Sequence, residues 1–554
     1  MTMILTQLSL SAGATLLAFG LWKLFEFVHH QWTTPLRLVP GPKSAHWFYG
    51  NFGQILKAEN SAMHEQWFDE FGPTIKYDAL LRQARLCTKD TRAVAHILNH
   101  SYTYQKPNQI KYSLGRILGK GLLFVEADQH KQQRKIMNPA FGPAQVRALT
   151  AIFTEKALLL RDLWSAEIAK SQSTEKEEKG TRIDALSWLS KMTLDVIGQA
   201  GFNYRFNALN PDNKPNELND AFKTMFGAAQ ELSPLPILQA FVPALRWIPS
   251  DRDRRISVAQ DTMSSIGHRL LADAKAHAAS AAPATKPIEE DEEDIDIDLK
   301  GRDLFSLLVK ANTTQDAGAE KLSDADVLSQ VPTFLLAGHE TTSTATTWAL
   351  YALTQAPDAQ RKLREEVIAL GTDTPTMDEL NSLHYLDNVV RETMRLHAPV
   401  PSTIRMATKD DVIPLSTPFV DKRGVTQHGI KIMKGDSIFV PMLAINRDPA
   451  IWGADARVFK PERWDAIPEG AHSIPGVWGN TMSFLAGPRA CIGYRFSVVE
   501  MKALLYTLIR AFEFELAVPA ADIRSKQSIV SRPIVTSEPD VGNQMPLLVK
   551  AYSA

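Results

Sequence analysis

Phe484-Leu485-Ala486-Gly487-Pro488-Arg489-Ala490-Cys491-Ile492-Gly493 carries one of only 2 cysteines in a chain of 554 residues. The amphipathic run from Tyr494 to Phe512 follows at once. A lone cysteine is most simply a small buried apolar residue. The neighbours here point elsewhere. Gly487 and Gly493 open backbone geometry that other residues avoid, Arg489 puts a fixed cation two residues from the sulfur, and Phe484 offers a flat ring. Such company favours a thiolate, and a thiolate in such a place can hold a metal.

The order F-x-x-G-x-R-x-C-x-G resembles the haem-binding loop of the cytochrome P450 family, and the chain is most similar to its microsomal, membrane-anchored type, as in fungal members. The resemblance implies a fold that is mainly α with small β-sheets (α+β). It also implies haem b (iron protoporphyrin IX), with Cys491 as the metal ligand, Phe484 against the ring and Gly493 closing the loop. A thiolate ligand pushes electron density toward bound oxygen and favours O–O cleavage.

Composition limits the alternatives. Lys+Arg 61 against Asp+Glu 62 leaves a net charge of -1, so nothing global argues for a nucleic-acid partner. Hydrophobic residues make up 44%, ample for a large core. Cys87 and Cys491 are too few for a disulfide framework, which places the body on a reducing, cytosolic side.

From Met3 to Trp22 the sequence is apolar, interrupted by Thr6, Gln7, Ser9, Ser11 and Thr15, and uncharged until Lys23. About 20 helical residues span roughly 30 Å, the thickness of a bilayer core. No basic residue precedes the run, while Lys23, Arg37 and Lys43 follow it. That asymmetry favours an uncleaved transmembrane helix over a signal peptide or an interfacial helix, with the catalytic domain cytosolic. The expected division is an N-terminal anchor at 1–28, a proline-rich hinge at 29–50 containing Pro35 and Pro40-Gly41-Pro42, and a catalytic domain at 51–554.

Within the domain, helix is expected around 61–71, a hairpin between Thr74 and Thr88 with Cys87 packed in a strand, helix over 146–206 with a charged break at 170–179, and strand over Ile430 to Met442. The stretch 232–249, with Phe241, Val242 and Trp247, is too apolar for an ordinary loop; it reads equally as a membrane contact or as core. Residues 278–300, including Glu289-Glu290-Asp291-Glu292-Glu293-Asp294, read as a solvated acidic loop.

Ser323-x-x-Asp326 forms a capping box, and a helical pattern runs from it to Ala356-Pro357. In its middle stand Ala337-Gly338-His339-Glu340-Thr341-Thr342. Glycine costs about 1 kcal/mol against alanine in a helix and threonine hydroxyls compete for carbonyls, so broken local rules here point to function. The set resembles the family's oxygen-binding groove, which implies that Gly338 makes room for dioxygen while Glu340 and Thr341 are the catalytic proton relay. Glu392-x-x-Arg395 and Phe459-x-Pro461-Glu462-Arg463-Trp464 match the family's structural triad, Glu392, Arg395 and Arg463.

His130 and Arg134 share one helical face, which alone would be a solvated basic face; the resemblance makes both haem-propionate ligands, with His130 where tryptophan is usual. Arg405 and Arg489 are the other propionate cations it implies. Phe334, Ala337, Thr342, Val400 and Thr403 are the expected substrate pocket.

The implied enzyme is a monooxygenase, an oxidoreductase that inserts one atom of O2 into a small apolar substrate. Its electrons would come from NADPH through a separate NADPH-cytochrome reductase, since the chain shows no GxGxxG or flavin domain, with cytochrome b5 as a further donor. Lys131, Lys135 and Arg495 are the expected docking cations. The implied location is the endoplasmic reticulum membrane, single-pass. Two other classes stay open: a haem-thiolate isomerase or dehydratase acting on a peroxide, which would not need Glu340 and Thr341, and a non-catalytic haem protein.

Overall fold

The computed structural model describes residues 2–174, 180–210, 217–218, 220–221, 224–225, 235, 239, 242, 245–280, 301–313, 321–526 and 528–552. Phe241, much of 232–249 and the acidic segment 281–300 lie outside these residues. The chain divides into two units, Met1–Gln105 with Thr403–Pro441, and Lys106–Ser402 with Met442–Ala554.

In the first unit, α1 (Thr2–Thr33) is one continuous helix. Leu17, Phe19, Trp22, Phe25 and Trp32 stand exposed along it. Among the described residues no helix is long and apolar enough to cross a membrane. The reading of 3–22 as a transmembrane helix is therefore unsupported as it stands. Hydroxyl and amide residues interrupt the run, Thr15 Oγ1 turns back to Ser11 O at 2.8 Å, and an ion pair between Lys23 and Glu26, 2.7 Å, adds charge beyond it. The proline-rich hinge is not a free linker. Pro40 O accepts Lys76 N–H at 2.8 Å, and a Cβ on Gly41 or Gly50 would run into the carbonyls of the strand beside it.

That strand is β1 (Thr74–Asp78), paired antiparallel with β2 (Ala84–Thr88) so that Ile75 faces a fully buried Cys87. The hairpin and the packed role of Cys87 match the sequence pattern. β3 (Tyr104–Gln105), β5 (Thr403–Ala407) and β8 (Ser437–Val440) complete a sheet ordered β1-β2-β8-β5-β3. β6 (Asp411–Val420) and β7 (Thr426–Ile432) form a separate hairpin. The single strand expected over 430–442 is split, because Gly435 turns the chain at φ 95 and Met442 opens a short helix.

The second unit is mainly helical: α2 (Ala127–Met137), α3 (Pro143–Thr174), α4 (Ala185–Phe202), α5 (Asp251–Ser280), α6 (Gln330–Gln355), α7 (Pro357–Ala369), α8 (His384–Leu396) and α9 (Tyr494–Ala511). β4 (Thr181–Asp184), β12 (Pro546–Ala551) and β9 (Phe512–Leu516) make a three-stranded sheet, and β10 (Ile523–Ser525) pairs with β11 (Pro533–Val535). The capping box at Ser323 is present, but it starts a separate short helix, Asp324–Leu328, before α6 begins. From Thr342 to Leu350 every α6 side chain is buried, as is every α9 side chain from Val498 to Ile509. These two apolar helices form the centre of the unit's core, which drives their burial.

Candidate active site at the Cys491 loop and the long helix

The loop before α9 is closed by backbone bonds: Cys491 N–H donates to Phe484 O at 2.9 Å and Ala490 N–H to Gly487 O at 3.0 Å. Gly487 sits at φ 65, the left-handed region where a side chain is strained. Gly493 differs from expectation. Its φ is -91, and an added Cβ would meet the Phe141 ring at an ordinary 3.7 Å, so its service is to cap α9. Phe484 is buried with its ring edge-on to Trp478 at 5.4 Å.

Cys491 keeps accessible surface, yet burial pushes its thiol pKa up, opposed by the Gly493 N–H and the charge of Arg134. Among the described residues Arg134 donates to neutral oxygens, to Asn138 Oδ1 at 3.0 Å and to Ala490 O, and burial holds it below its usual value. His130 is buried on the same helix; its pKa is lowered to about 4 by burial and then by Lys106 and Arg134, so it is neutral at pH 7. Arg489 donates to Val125 O at 2.7 Å and is ion-paired with Glu126, whose Oε1 lies 2.7 Å from Lys106 Nζ. Glu126 and Lys106 belong to no motif, and sequence reasoning missed them. Arg405 lies in the first unit on β5, bonded to Thr403 Oγ1 at 2.6 Å and Ile404 O at 2.9 Å, with burial pushing it down to about 10. Thr403 is half-buried and accepts this bond through its hydroxyl.

Along α6 each column of side chains has a different neighbour. Gly338 faces α4, where a Cβ would come within 2.7 Å of Ile197 Cδ1, so this glycine permits close helix packing rather than room for a ligand. His339 Nε2 meets Ser190 Oγ at 2.8 Å, and Thr193 Oγ1 donates to His339 O at 3.1 Å. Thr342, expected in the pocket, is buried against α9 with its hydroxyl 3.0 Å from Ser497 Oγ. Phe334, also expected there, packs into the core edge-on to Phe141 at 5.5 Å. Both placements follow from helix phase, which depends on the facing neighbour rather than on the residue's own type. Ala337 is exposed and Thr341 half-buried, an open column in the middle of a buried helix. Thr341 Oγ1 donates to Ala337 O at 2.6 Å. Glu340, on the flank of that column, is buried and ion-paired with Arg532. Val400 is half-buried.

Behind the loop, Glu392 takes Arg395 Nε and Nη2 at 2.8 Å each, Arg463 Nε at 3.3 Å and Trp464 Nε1 at 3.2 Å. Arg395 Nη1 donates to Asn446 O at 2.9 Å; the Asn446 side chain then accepts Met482 N–H at 2.7 Å and donates to Ser483 Oγ at 2.9 Å. The buried network therefore continues, bond by bond, to the residues before Phe484.

These groups fit a haem. A single cysteine sulfur, Cys491, suits a metal whose other ligands arrive with a macrocycle. Arg134 and Arg405, which donate to neutral oxygens, suit its carboxylates, whereas Arg489 already faces the carboxylate of Glu126.

A family model described as Cytochrome P450 matches residues 39–537. The chain belongs to the cytochrome P450 family. This cytochrome P450 is 55% identical over 554 residues to cytochrome P450 monooxygenase 205 of Postia placenta, covering 100% of this chain and 99% of the relative. Monooxygenase 128 of the same fungus is 50% identical, over 98% of this chain and 97% of its own. Cytochrome P450 monooxygenase claQ of Ampulloclitocybe clavipes is 34% identical, over 94% and 93%. The protein is a haem-thiolate monooxygenase, an oxidoreductase that incorporates oxygen from O2 into an organic substrate, and its family works with a redox partner.

Proposed function

We propose that the Cys491 thiolate ligates the iron of haem b, that Arg134 and Arg489 hold its propionates, and that neutral His130 adds a hydrogen bond beside them. Arg405 has the buried charge and neutral partners that a carboxylate needs. The bound haem supplies the oxygen activation. The chain's own part is to position it and to move protons. Thr341 Oγ1, already donating to Ala337 O, keeps lone pairs for a water, and Glu340 exchanges a proton with that water.

One observation carries this reading. The Ala337–Thr341 column is the open side of α6, while Thr342 on the adjoining column is bonded to Ser497, in the first turn behind the Cys491 loop. Ala337 and Val400 would give an apolar wall to a small apolar substrate. Electrons would come from NADPH through a separate flavoprotein reductase, with cytochrome b5 as a further donor, docked on Lys131, Lys135 and Arg495, all exposed in the second unit. The exposed aromatic and aliphatic side chains of α1 support an anchor at 1–28 in the endoplasmic reticulum membrane, a hinge at 29–50 and a cytosolic catalytic domain at 51–554.

The test is NADPH- and O2-dependent turnover with a reductase, coupled to a product containing one added oxygen. Turnover of a peroxide without NADPH would favour an isomerase instead. Cys491→Ala should abolish the thiolate-type Soret shift of the reduced CO complex, and its retention would reject the ligand assignment. Thr341→Ala should keep the haem and divert electrons to hydrogen peroxide; unchanged coupling would reject the relay.

A further inference from the structure

A hollow of about 510 Å³ opens between the start of α3, the short helix Met377–Ser382, α8 and the start of α9. Pockets of that size take small organic molecules. Cys491, Arg134 and Thr341 are not among the described residues that line it, so it is separate from the site above. We propose that this hollow binds a small planar organic anion, an aromatic carboxylate, against Trp478, Tyr494 and Arg495.

Three features of the lining specify that chemistry. The first is charge. Arg391, Lys502 and Arg495 line the hollow together with a single carboxylate, Asp387. Arg391 Nε lies 2.5 Å from Asp387 Oδ2 and Lys502 Nζ lies 2.8 Å from Oδ1, so both oxygens of that carboxylate are taken. Lys502 is only 2% exposed and is fixed further by Asn381 Oδ1 at 3.0 Å. Arg495 is different: it is exposed, and among the described residues it makes no ion pair. It is therefore the cation able to turn toward a ligand, and a guanidinium holds a carboxylate through two parallel bonds.

The second feature is flatness. Trp478 and Tyr494 both line the hollow, and each ring lies beneath a guanidinium, that of Arg391 at 5.6 Å and that of Arg495 at 4.6 Å. A planar occupant stacks on rings and guanidinium planes of this kind. The third is an apolar wall, since Val146, Met377 and Val498 are buried hydrophobic side chains that favour a ligand body without charge. The site lies one ring away from the Cys491 loop, because Trp478 packs edge-on to Phe484 at 5.4 Å.

The test is isothermal titration calorimetry of the full-length holoenzyme with trans-cinnamate as the probe. One site per chain is expected, and cinnamamide, the uncharged amide of the same shape, should bind about tenfold more weakly or worse. Arg495→Glu, which reverses the exposed charge, should weaken cinnamate binding by about the same factor. Ser382 is exposed on the lining, and Ser382→Trp should fill the opening and abolish the heat. Haem absorbance and Tm check that each variant is folded, and either variant decides the matter if the other is not. Cinnamate bound by the folded variants as tightly as by the parent places it elsewhere, at the haem for example, and overturns the proposal. No heat from the parent overturns it as well. Equal affinities for cinnamate and cinnamamide overturn the anion, and decanoate binding more tightly than cinnamate overturns the aromatic class.

Discussion

At the scale of single residues, the opening loop separates two glycines that look alike in sequence. Gly487 occupies the left-handed region, where a side chain costs about 1–2 kcal/mol. Gly493 has an ordinary backbone and space for a methyl. Gly487→Ala should therefore destabilise the chain by about that amount and loosen haem retention, while Gly493→Ala should stay within about 0.5 kcal/mol of the parent. Thermal unfolding and the retained haem absorbance check both, and equal losses at the two sites would refute the distinction. Cys491 shows the same dependence on surroundings. Burial alone would leave a thiol, and the Gly493 N–H and Arg134 supply the opposing stabilisation of a thiolate.

Elements gain their functional faces from what packs beside them. On α6 the glycine and threonines that break helix rules divide between two tasks: Gly338 admits Ile197 and Thr342 joins α9, leaving Ala337 and Thr341 open. On α1 the decisive group is His30, whose Nε2 lies 3.0 Å from Asp436 Oδ1. The Asp436 hydrogen bond raises the His30 pKa, with burial working against it. A raised value means that this tie is fully present below the ordinary histidine value of about 6.5 and is lost as pH rises through the folded value. The end of α1 should accordingly loosen as pH rises beyond the ordinary histidine value of about 6.5. Trypsin cleavage after the exposed Arg37, measured against His30→Gln at each pH, should rise toward that of the variant, and a pH-independent ratio would count against the tie.

For the molecule as a whole, the question is what holds it to a membrane. Deleting residues 1–28 should release much of the protein to the soluble fraction, since the exposed apolar surface of α1 goes with them. A bound fraction unchanged by the deletion would shift the contact to 232–249, where Val242 and Trp247 are exposed. A second property belongs to the whole second unit. The network of Glu392, Arg395 and Arg463 reaches the Cys491 loop through Asn446, so residues far apart in the chain share one rigid support.

The sequence alone determined the haem-thiolate family, the hairpin holding Cys87, the extent of α9 and the pairing of Glu392 with two arginines. Each is a local pattern, or a motif whose residue types have few other uses. Only the tertiary structure decided which way the middle of α6 faces, why Gly338 is a glycine, that Phe334 and Thr342 are packed, and that Glu126 and Arg532 answer Arg489 and Glu340. Those facts depend on pairs of residues distant in the chain, here 192 positions apart for Arg532 and Glu340, and side-chain type carries no record of its partner across such a distance.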